Sequence, residues 1–315
     1  MIPLTVIGGF LGAGKTTLLN QILSGKTRRR YAVLVNDFGD LAIDGDLVTA
    51  HDGDTITFAN GCVCCTMGDD FVATVMNLLQ RPVLPDHILI EASGVGDPRV
   101  IAEVAKLHPQ LFRDMVVVLV DAQTIKDRAA DSRLADTVEL QLQSADLLVL
   151  NKCDLVSDKE RDSVKGWLEG RAPDIPVVFS QDVQFSLELL FLDPKEGRPS
   201  ASCSKHVKDS KHHHAHVFDS VTLTMDRPVN LDRFRKFLAD LPASVLRAKG
   251  FVTTDESPGR FFLVQFAGRH IDIAEQKDPV DVKNASSAMV FIGLQGMPGR
   301  DWFRSAFVAA QEGQR

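Results

Sequence analysis

The chain has 315 residues, of which 44% are hydrophobic and 24% are charged, a size that predicts about two domains with a substantial core. The formal net charge of −7 argues against nucleic acid as a main partner, because no face-wide excess of lysine and arginine is visible. The first residues lack a signal-peptide pattern, and no apolar run approaches membrane-spanning length. We therefore expect a cytoplasmic protein without nucleic-acid or membrane partners.

The first motif is a phosphate-loop pattern of Gly, four residues, Gly-Lys and Thr. An apolar strand pattern at 4–7 precedes it and a helical pattern at 17–23 follows it, which is the context that the motif requires. In such a loop, backbone N–H groups bind phosphate oxygens, the lysine reaches the β- and γ-phosphates, and the threonine hydroxyl binds Mg²⁺. We predict nucleotide contacts from Gly9, Gly12, Ala13, Gly14, Lys15, Thr16 and Thr17.

Acidic residues follow the next predicted strand, a continuous apolar run at 31–36. Asp37 and Asp40 come just after its carboxyl end, where parallel sheets bind their ligands. The functional interpretation is a switch segment in which Asp37 is a ligand of Mg²⁺ or of a second metal. The alternative is an ordinary polar turn rich in aspartate and glycine.

Three of the five cysteines fall within four residues, as Cys62, Cys64 and Cys65. Thiolates are soft ligands suited to Zn²⁺ and similar ions, and three of them supply most of a tetrahedral shell while leaving a position for exchange. We therefore predict a transition-metal site here. A redox pair and small buried packing residues are the alternatives.

Two further strand ends complete the predicted nucleotide site. The strand at 87–91 ends in Glu91, which we expect near Mg²⁺, and Gly94 is expected to offer its N–H to the γ-phosphate. A later strand runs into Asn-Lys-Cys-Asp, whose last carboxylate can accept two hydrogen bonds from guanine and none of matching geometry from adenine. We therefore predict guanine contacts from Asn151, Lys152, Asp154 and, on the far side of the base, Ser180.

The alternation of strands and helices over 1–184 predicts an α/β domain, with a mostly parallel sheet of the phosphate-loop NTPase type and helices on both faces. Residues 185–216 have the composition of a flexible linker. Residues 217–315 predict a smaller α+β domain for partner binding or for sensing the nucleotide state. The linker ends in imidazoles that either bind a metal ion weakly or are simply solvated: His212, His213, His214 and His216.

Taken together, the motifs resemble those of CobW-like GTPases, a family related to the nickel-handling GTPases of hydrogenase and urease maturation. The resemblance extends into the C-terminal domain through the His-rich linker and the segment 246–251. One difference is that this chain has Asp37 and Asp40 where the family usually has glutamate. The matching motifs are those at 9–17, 36–40, 61–65, 91–94 and 151–154.

The resemblance implies a metallochaperone that couples GTP binding and hydrolysis to delivery of a transition metal, often zinc, to a client metalloprotein. Its cofactors would be GTP, Mg²⁺ and Zn²⁺, with Co²⁺ as the alternative metal. By position, the resemblance implies that Lys15 and Thr16 bind phosphate and Mg²⁺, and that Glu91 and Gly94 sense the γ-phosphate. It implies that guanine is bound by Asn151, Lys152 and Asp154. The transferable metal would be bound by Cys62, Cys64 and Cys65.

Two alternative functions stay open. One is a cobalt-handling accessory GTPase for cobalamin synthesis or cobalt-enzyme maturation, because cysteine and histidine suit Co²⁺ as well as Zn²⁺. The other is a regulatory GTPase switch whose cysteines are structural or redox-active. Because no counterpart of a catalytic glutamine or arginine finger stands out in the sequence, we expect slow intrinsic GTP hydrolysis.

Overall fold

The computed structural model divides the chain into two compact units, Met1–Leu187 and Glu188–Arg315. It describes residues 1–24, 30–36, 56–60, 69–94, 96–180, 190–191, 218–225, 227–276 and 287–311, with the backbone alone at 36, 56–60, 69–70 and 276. Within these ranges, none of the helices is both long and apolar enough to traverse a bilayer.

The first unit is built on a seven-stranded sheet in the order β3-β2-β4-β1-β5-β6-β7, and every described strand pair in it is parallel. A parallel sheet binds ligands at the carboxyl ends of its strands. The predicted α/β fold is therefore confirmed. The strands are β1 (Ile2–Gly9), β2 (Tyr31–Asn36), β3 (Ile56–Asn60), β4 (His87–Glu91), β5 (Leu111–Asp121), β6 (Leu147–Asn151) and β7 (Val177–Phe179).

Helices connect these strands and cover the sheet. One buried cluster joins alternate residues of the central strands, such as Leu4, Val6 and Ile90, to apolar residues of α2, α3, α5 and α6, defined below. The buried face of α1, which includes Leu18 and Ile22, lies outside that cluster and packs on the other face of the sheet. The helices are α1 (Lys15–Ser24), α2 (Asp69–Leu79), α3 (Pro98–Ala102), α4 (Ile125–Ala130), α5 (Ala135–Ser144) and α6 (Asp158–Arg171).

The second unit is an antiparallel five-stranded sheet in the order β11-β10-β9-β12-β8. In the described part of this unit, two helices cover one face of the sheet through a cluster of buried rings that includes Phe234, Phe291, Phe303 and Phe307. The elements are β8 (Phe218–Met225), α7 (Leu231–Ala239), β9 (Val245–Thr253), β10 (Phe261–Ala267), β11 (His270–Gln276), β12 (Ser287–Leu294) and α8 (Arg300–Gln311).

In this part of the chain the sequence pattern alone predicts a strand only at 252–254, whereas β9 begins seven residues earlier, at Val245. At Gly250 a Cβ atom would lie 2.0 Å from the carbonyl oxygen of Ala288 on β12. The glycine that weakens the strand pattern is therefore the residue that allows the two strands to pack closely.

Candidate functional site

The phosphate loop follows β1 and depends on its glycines. Gly9, Gly12 and Gly14 have φ values of +131°, +76° and +105°, a region in which residues with a Cβ atom are strained. A Cβ atom on Gly9 would also lie 2.5 Å from the carbonyl oxygen of Leu119 on β5. The shape of the loop therefore favours glycine at these positions, and most strongly at Gly9, where β5 also leaves no room for a side chain.

Lys15 opens α1 directly after the loop and is buried. Its Nζ atom donates to the carbonyl oxygen of Phe10 at 3.4 Å, and the N–H of Ala13 donates to the same oxygen at 3.1 Å. The ammonium group is thus held over the loop at the positive end of the helix dipole, which favours bound anions. Thr17, by contrast, is exposed.

Thr16 and Glu91 bring two oxygen donors together beside the loop. The hydroxyl of Thr16 donates to the carboxylate of Glu91, with distances of 3.2 Å and 3.4 Å to its two oxygens. Parallel pairing of β1 with β4 aligns Ile7 with Glu91, so the carboxylate ends the strand next to the loop. Hydroxyl and carboxylate oxygens are the ligands that Mg²⁺ prefers, so the pair fits that ion.

The turn after β4 lies against the phosphate loop. A Cβ atom on Gly94 would lie 2.8 Å from the Cγ atom of Leu11 and 2.9 Å from its backbone nitrogen. The N–H of Gly96 donates to the carbonyl oxygen of Ser93 at 3.2 Å and closes the turn. The hydroxyl of Ser93 is buried and makes no hydrogen bond within the described part of the chain. It is a polar group for which a ligand could provide a partner.

The end of β6 is joined to the phosphate loop by Asn151. Its side chain is buried and donates to the carbonyl oxygen of Ala13 at 3.0 Å. Lys152 has a left-handed backbone, with φ of +61°, and its Nζ atom donates to a carboxylate oxygen of Asp121 at 2.8 Å. The motifs assign no role to Asp121, although its place at the end of buried β5 is the kind of position that binds ligands in a parallel sheet.

Asp154 and Ser180 complete the predicted guanine site. Asp154 is exposed in a short 3-10 turn at Cys153–Leu155, where its carboxylate can accept hydrogen bonds from a base. Ser180 follows β7, and its buried hydroxyl makes no hydrogen bond in the described ranges. The neighbouring Cys153 is buried, its thiol donates to the carbonyl oxygen of Leu150, and burial raises the pKa of the thiol.

Two contacts from the helices were missed by the sequence reasoning. Arg128 on α4 donates to the carbonyl oxygen of Leu11 at 2.9 Å, and its guanidinium lies 4.7 Å from the ring centre of Phe10. Gln141 on α5 donates to the carbonyl oxygen of Gly94 at 3.0 Å. Both side chains bond to backbone carbonyl groups next to the predicted phosphate site, so their role is to position the backbone and not to bind a ligand.

The predicted transition-metal ligands lie outside the described residues. Within the described ranges there is no group of three histidine, cysteine, aspartate or glutamate side chains able to hold a metal ion. The strands that lead to the predicted site are described, and parallel pairing aligns their last residues, Asn36 and Asn60. The predicted metal ligands that are not among the described residues are Asp37, Cys62, Cys64, Cys65, His212, His213, His214 and His216.

A glycine-dependent loop between a parallel strand and a helix, with the Thr16–Glu91 pair beside it, defines a nucleotide-binding protein of the phosphate-loop class. Comparison with family models agrees: the model described as CobW/HypB/UreG, nucleotide-binding domain, matches residues 3–179. A second model, the cobalamin synthesis protein cobW C-terminal domain, matches residues 218–311. The chain belongs to the CobW/HypB/UreG family, which confirms the family expected from the motifs.

Among similar proteins is one named zinc chaperone CobW, from Sinorhizobium sp., which is 31% identical over 335 aligned residues that cover 94% of each chain. Another, from Dictyostelium discoideum, is named zinc-regulated GTPase metalloprotein activator 1; it is 27% identical, over 86% of this chain and 67% of the relative. A crystal structure of Zn(II)-bound YjiA GTPase from E. coli is 25% identical over 99% of both chains, with a TM-score of 0.46.

Proposed function

We propose that this chain is a GTP-binding and GTP-hydrolysing metallochaperone that couples its nucleotide state to the binding and delivery of a transition metal, with zinc as the preferred ion. The names of the two relatives, a zinc chaperone and a zinc-regulated GTPase metalloprotein activator, support both the metal and the nucleotide. In this proposal a client metalloprotein receives the metal.

One observation carries the proposal: the order of the strands at the ligand-binding edge of the sheet. Pairing aligns Ala59 with Val35, Val35 with Glu91, and Glu91 with Ile7. With a spacing of about 4.8 Å between strands, Ala59 near the end of β3 lies about 14 Å from Ile7 near the end of β1. A change at Glu91 on nucleotide binding is therefore two strands away from the end of β3, which the predicted metal-binding cysteines follow in sequence.

The nucleotide half of the proposal assigns one task to each group. Lys15 holds the β- and γ-phosphates, Thr16 and Glu91 hold Mg²⁺, and Gly94 presents its N–H to the γ-phosphate. Mg²⁺ would neutralise charge that develops on the phosphate oxygens during hydrolysis. Asp154 accepts hydrogen bonds from guanine, which makes GTP the preferred nucleotide over ATP.

The metal is the cargo, and we propose that Cys62, Cys64 and Cys65 hold it. Three thiolates leave one tetrahedral position open for a ligand from the client, which permits transfer. By linkage, a nucleotide that tightens zinc binding must itself bind more tightly when zinc is present, by the same factor. Asp37, which directly follows the last residue of β2, is proposed to connect the two sites.

We also propose a division of labour along the chain, with a GTPase domain at 1–184, a His-rich linker at 185–216 and a C-terminal domain at 217–315. The two matching family models leave residues 180–217 between them, which supports the linker. The histidines of the linker are proposed as an accessory metal site, and the C-terminal domain as the surface for the client.

The test is to measure Zn²⁺ affinity of the reduced, metal-free protein by competition with a chromophoric chelator, in the presence of Mg²⁺ and either GDP or a non-hydrolysable GTP analogue. We expect the two nucleotides to give different affinities. The difference should disappear in the double variant Cys64→Ala/Cys65→Ala and persist in Cys153→Ala, the matched control for loss of a thiol elsewhere.

Equal Zn²⁺ affinities with both nucleotides would reject coupling and leave a GTPase switch with structural or redox cysteines. A nucleotide-dependent response to Co²⁺ and none to Zn²⁺ would instead favour the cobalt-handling alternative. A comparison of GTP with ATP turnover, with and without an Asp154→Ala substitution, tests the nucleotide assignment separately.

A further inference from the structure

Gln141 is a buried glutamine on the face of α5 that packs against the sheet, next to Val138 and Leu142. Burial of an amide costs free energy unless its polar atoms form hydrogen bonds. Here the Nε2 atom donates to two carbonyl oxygens, that of Gly94 at 3.0 Å and that of Gly96 at 3.3 Å. One NH₂ group therefore uses both of its hydrogens to hold the turn that follows β4.

This turn needs such an anchor. The strand ends at Glu91, so the carbonyl groups of Gly94 and Gly96 lie beyond the ladder that pairs β4 with its neighbours. A hydrogen bond from the N–H of Gly96 to the carbonyl oxygen of Ser93 closes the turn, but it does not attach the turn to the rest of the domain. Gln141 makes that attachment from the helix layer.

The turn and the phosphate loop are in direct contact, because space for a Cβ atom at Gly94 is taken by Leu11. The loop is in turn bonded to α4, through donation from Arg128 to the carbonyl oxygen of Leu11. Since α4 and α5 pack against each other, one pair of helices holds both backbone segments that surround the expected position of the γ-phosphate.

We infer that Gln141 is a positioning residue that sets the preference of the site for GTP over GDP. The inference rests on the proposed function, in which Gly94 offers its N–H to the γ-phosphate. Only GTP carries a phosphate at that position, so only GTP gains from a turn that is already ordered before binding. Gln141 acts through the turn and does not touch the nucleotide.

Loss of a glutamine with a purely structural role would weaken the binding of GTP and GDP equally, whereas loss of the proposed role weakens GTP binding more. The experiment therefore compares the two affinities. Gln141→Met keeps the length and approximate volume of the side chain and removes both donors. Gln143→Met is the matched control, because Gln143 is exposed on the same helix and bonds only to the side chain of Glu139 among the described residues. Affinities for fluorescent GDP and for a fluorescent non-hydrolysable GTP analogue are measured with Mg²⁺, after urea unfolding has shown that each variant folds.

We expect Gln141→Met to weaken binding of the GTP analogue by about tenfold relative to GDP, which is the size expected when one or two hydrogen bonds to backbone are lost. Gln143→Met should leave the ratio of affinities unchanged. Equal weakening for both nucleotides, an unchanged ratio, or tighter binding of the GTP analogue would overturn the inference.

Gln141→Asn provides a milder second variant, in case the methionine variant does not fold. It keeps the amide but shortens its reach by one methylene, so the expected ratio lies between those of the wild type and Gln141→Met. A ratio equal to that of the wild type would contradict the assigned role. The wild type is measured first, and a wild type that binds neither nucleotide would reject the proposed function and this inference together.

Discussion

Polar side chains are buried at both edges of the parallel sheet, but the hydroxyl groups at the two edges differ in their hydrogen bonding. Near the amino ends of the strands, Thr5 donates to a carboxylate oxygen of Asp114 at 3.1 Å and accepts from Nε2 of His87 at 2.8 Å. At the carboxyl ends, the hydroxyls of Ser93 and Ser180 are just as buried, and within the described residues they bond to nothing.

The amino edge also holds an ion pair whose carboxylate is buried and whose arginine is partly buried. Arg113 on β5 donates to both carboxylate oxygens of Asp146, at 2.8 Å and 2.9 Å, and the N–H of Val116 donates to the same carboxylate at 2.7 Å. Polar groups that satisfy one another in this way add order to the fold. Polar groups that stay unsatisfied are the better guide to where a ligand binds.

The largest effect should come from breaking the ion pair. Arg113→Ala leaves a buried carboxylate without its cation, which we expect to lower the free energy of unfolding by about 3–5 kcal/mol. Nucleotide affinity of the folded protein should not change, since the pair lies at the amino edge. Urea unfolding and nucleotide titration measure the two quantities.

Arg133→Ala is the matched control, because Arg133 forms an exposed ion pair with Asp131. It should change the unfolding free energy far less than Arg113→Ala does. If the two variants had the same free energy of unfolding, the Arg113–Asp146 pair would stabilise the fold no more than an exposed pair does. The proposed difference between the two edges of the sheet would then be wrong.

The same pair should produce a dependence of stability on pH. Burial raises the pKa of Asp146 from 3.8 to about 6, although Arg113 and the N–H of Val116 act to lower it, and Asp114 adds to the increase. The folded chain therefore holds this proton more tightly than the unfolded chain. The contribution of Asp146 to the unfolding free energy should fall by about 2 kcal/mol as the pH rises from about 4 to about 6.

Asp146→Asn removes the titrating group, so the curve of unfolding free energy against pH should become flatter in this interval. Urea unfolding at a series of pH values measures the slope. A variant with the same slope as the wild type would show that other groups cause the dependence.

At the carboxyl edge, Glu91→Gln should act on turnover rather than on stability. It keeps the shape of the side chain but removes the charge that faces the hydroxyl of Thr16, and we expect GTP turnover to fall by about 100-fold. Glu169→Gln, on the exposed face of α6, is the control for loss of a carboxylate. Turnover near the wild-type rate would remove Glu91 from the proposed site.

The smallest effects come from two single hydroxyls, one at each edge. Thr5→Val should lower the unfolding free energy by about 1–2 kcal/mol, because its two partners lose a hydrogen bond, with no change in nucleotide affinity. Ser180→Ala should weaken GTP binding by several-fold, about 1 kcal/mol, without loss of stability. Loss of GTP affinity in Thr5→Val, or loss of stability in Ser180→Ala, would contradict the distinction between hydroxyls that have hydrogen-bond partners in the protein and hydroxyls that do not.

The sequence predicts most of the carboxyl edge, because its residues occupy places with a clear local signal. Gly9 to Thr16 form a motif, and Glu91 and Asn151 end continuous apolar runs that can only be buried strands. Parallel pairing then brings these ends together without any further information.

Contacts between elements that are distant in sequence could not be predicted in this way. The spacing of Gln141 from Val138 does indicate that it lies on the buried face of α5, since the two are three residues apart. Its partner, the turn at Gly94, lies 47 residues earlier, and nothing in the local pattern names it. The satisfied cluster around Thr5 has the same character, because its members lie on three strands.

The protein holds the phosphate loop from three sides: β5 against Gly9, Asn151 on the carbonyl oxygen of Ala13, and Arg128 on that of Leu11. Because these contacts already order the phosphate loop, it needs no rearrangement when a nucleotide binds, so GTP and GDP should associate at similar rates. Any difference between their affinities must then appear as a difference between their dissociation rates. The lifetime of each nucleotide complex, and not the speed of capture, would decide how long the chain stays in one state.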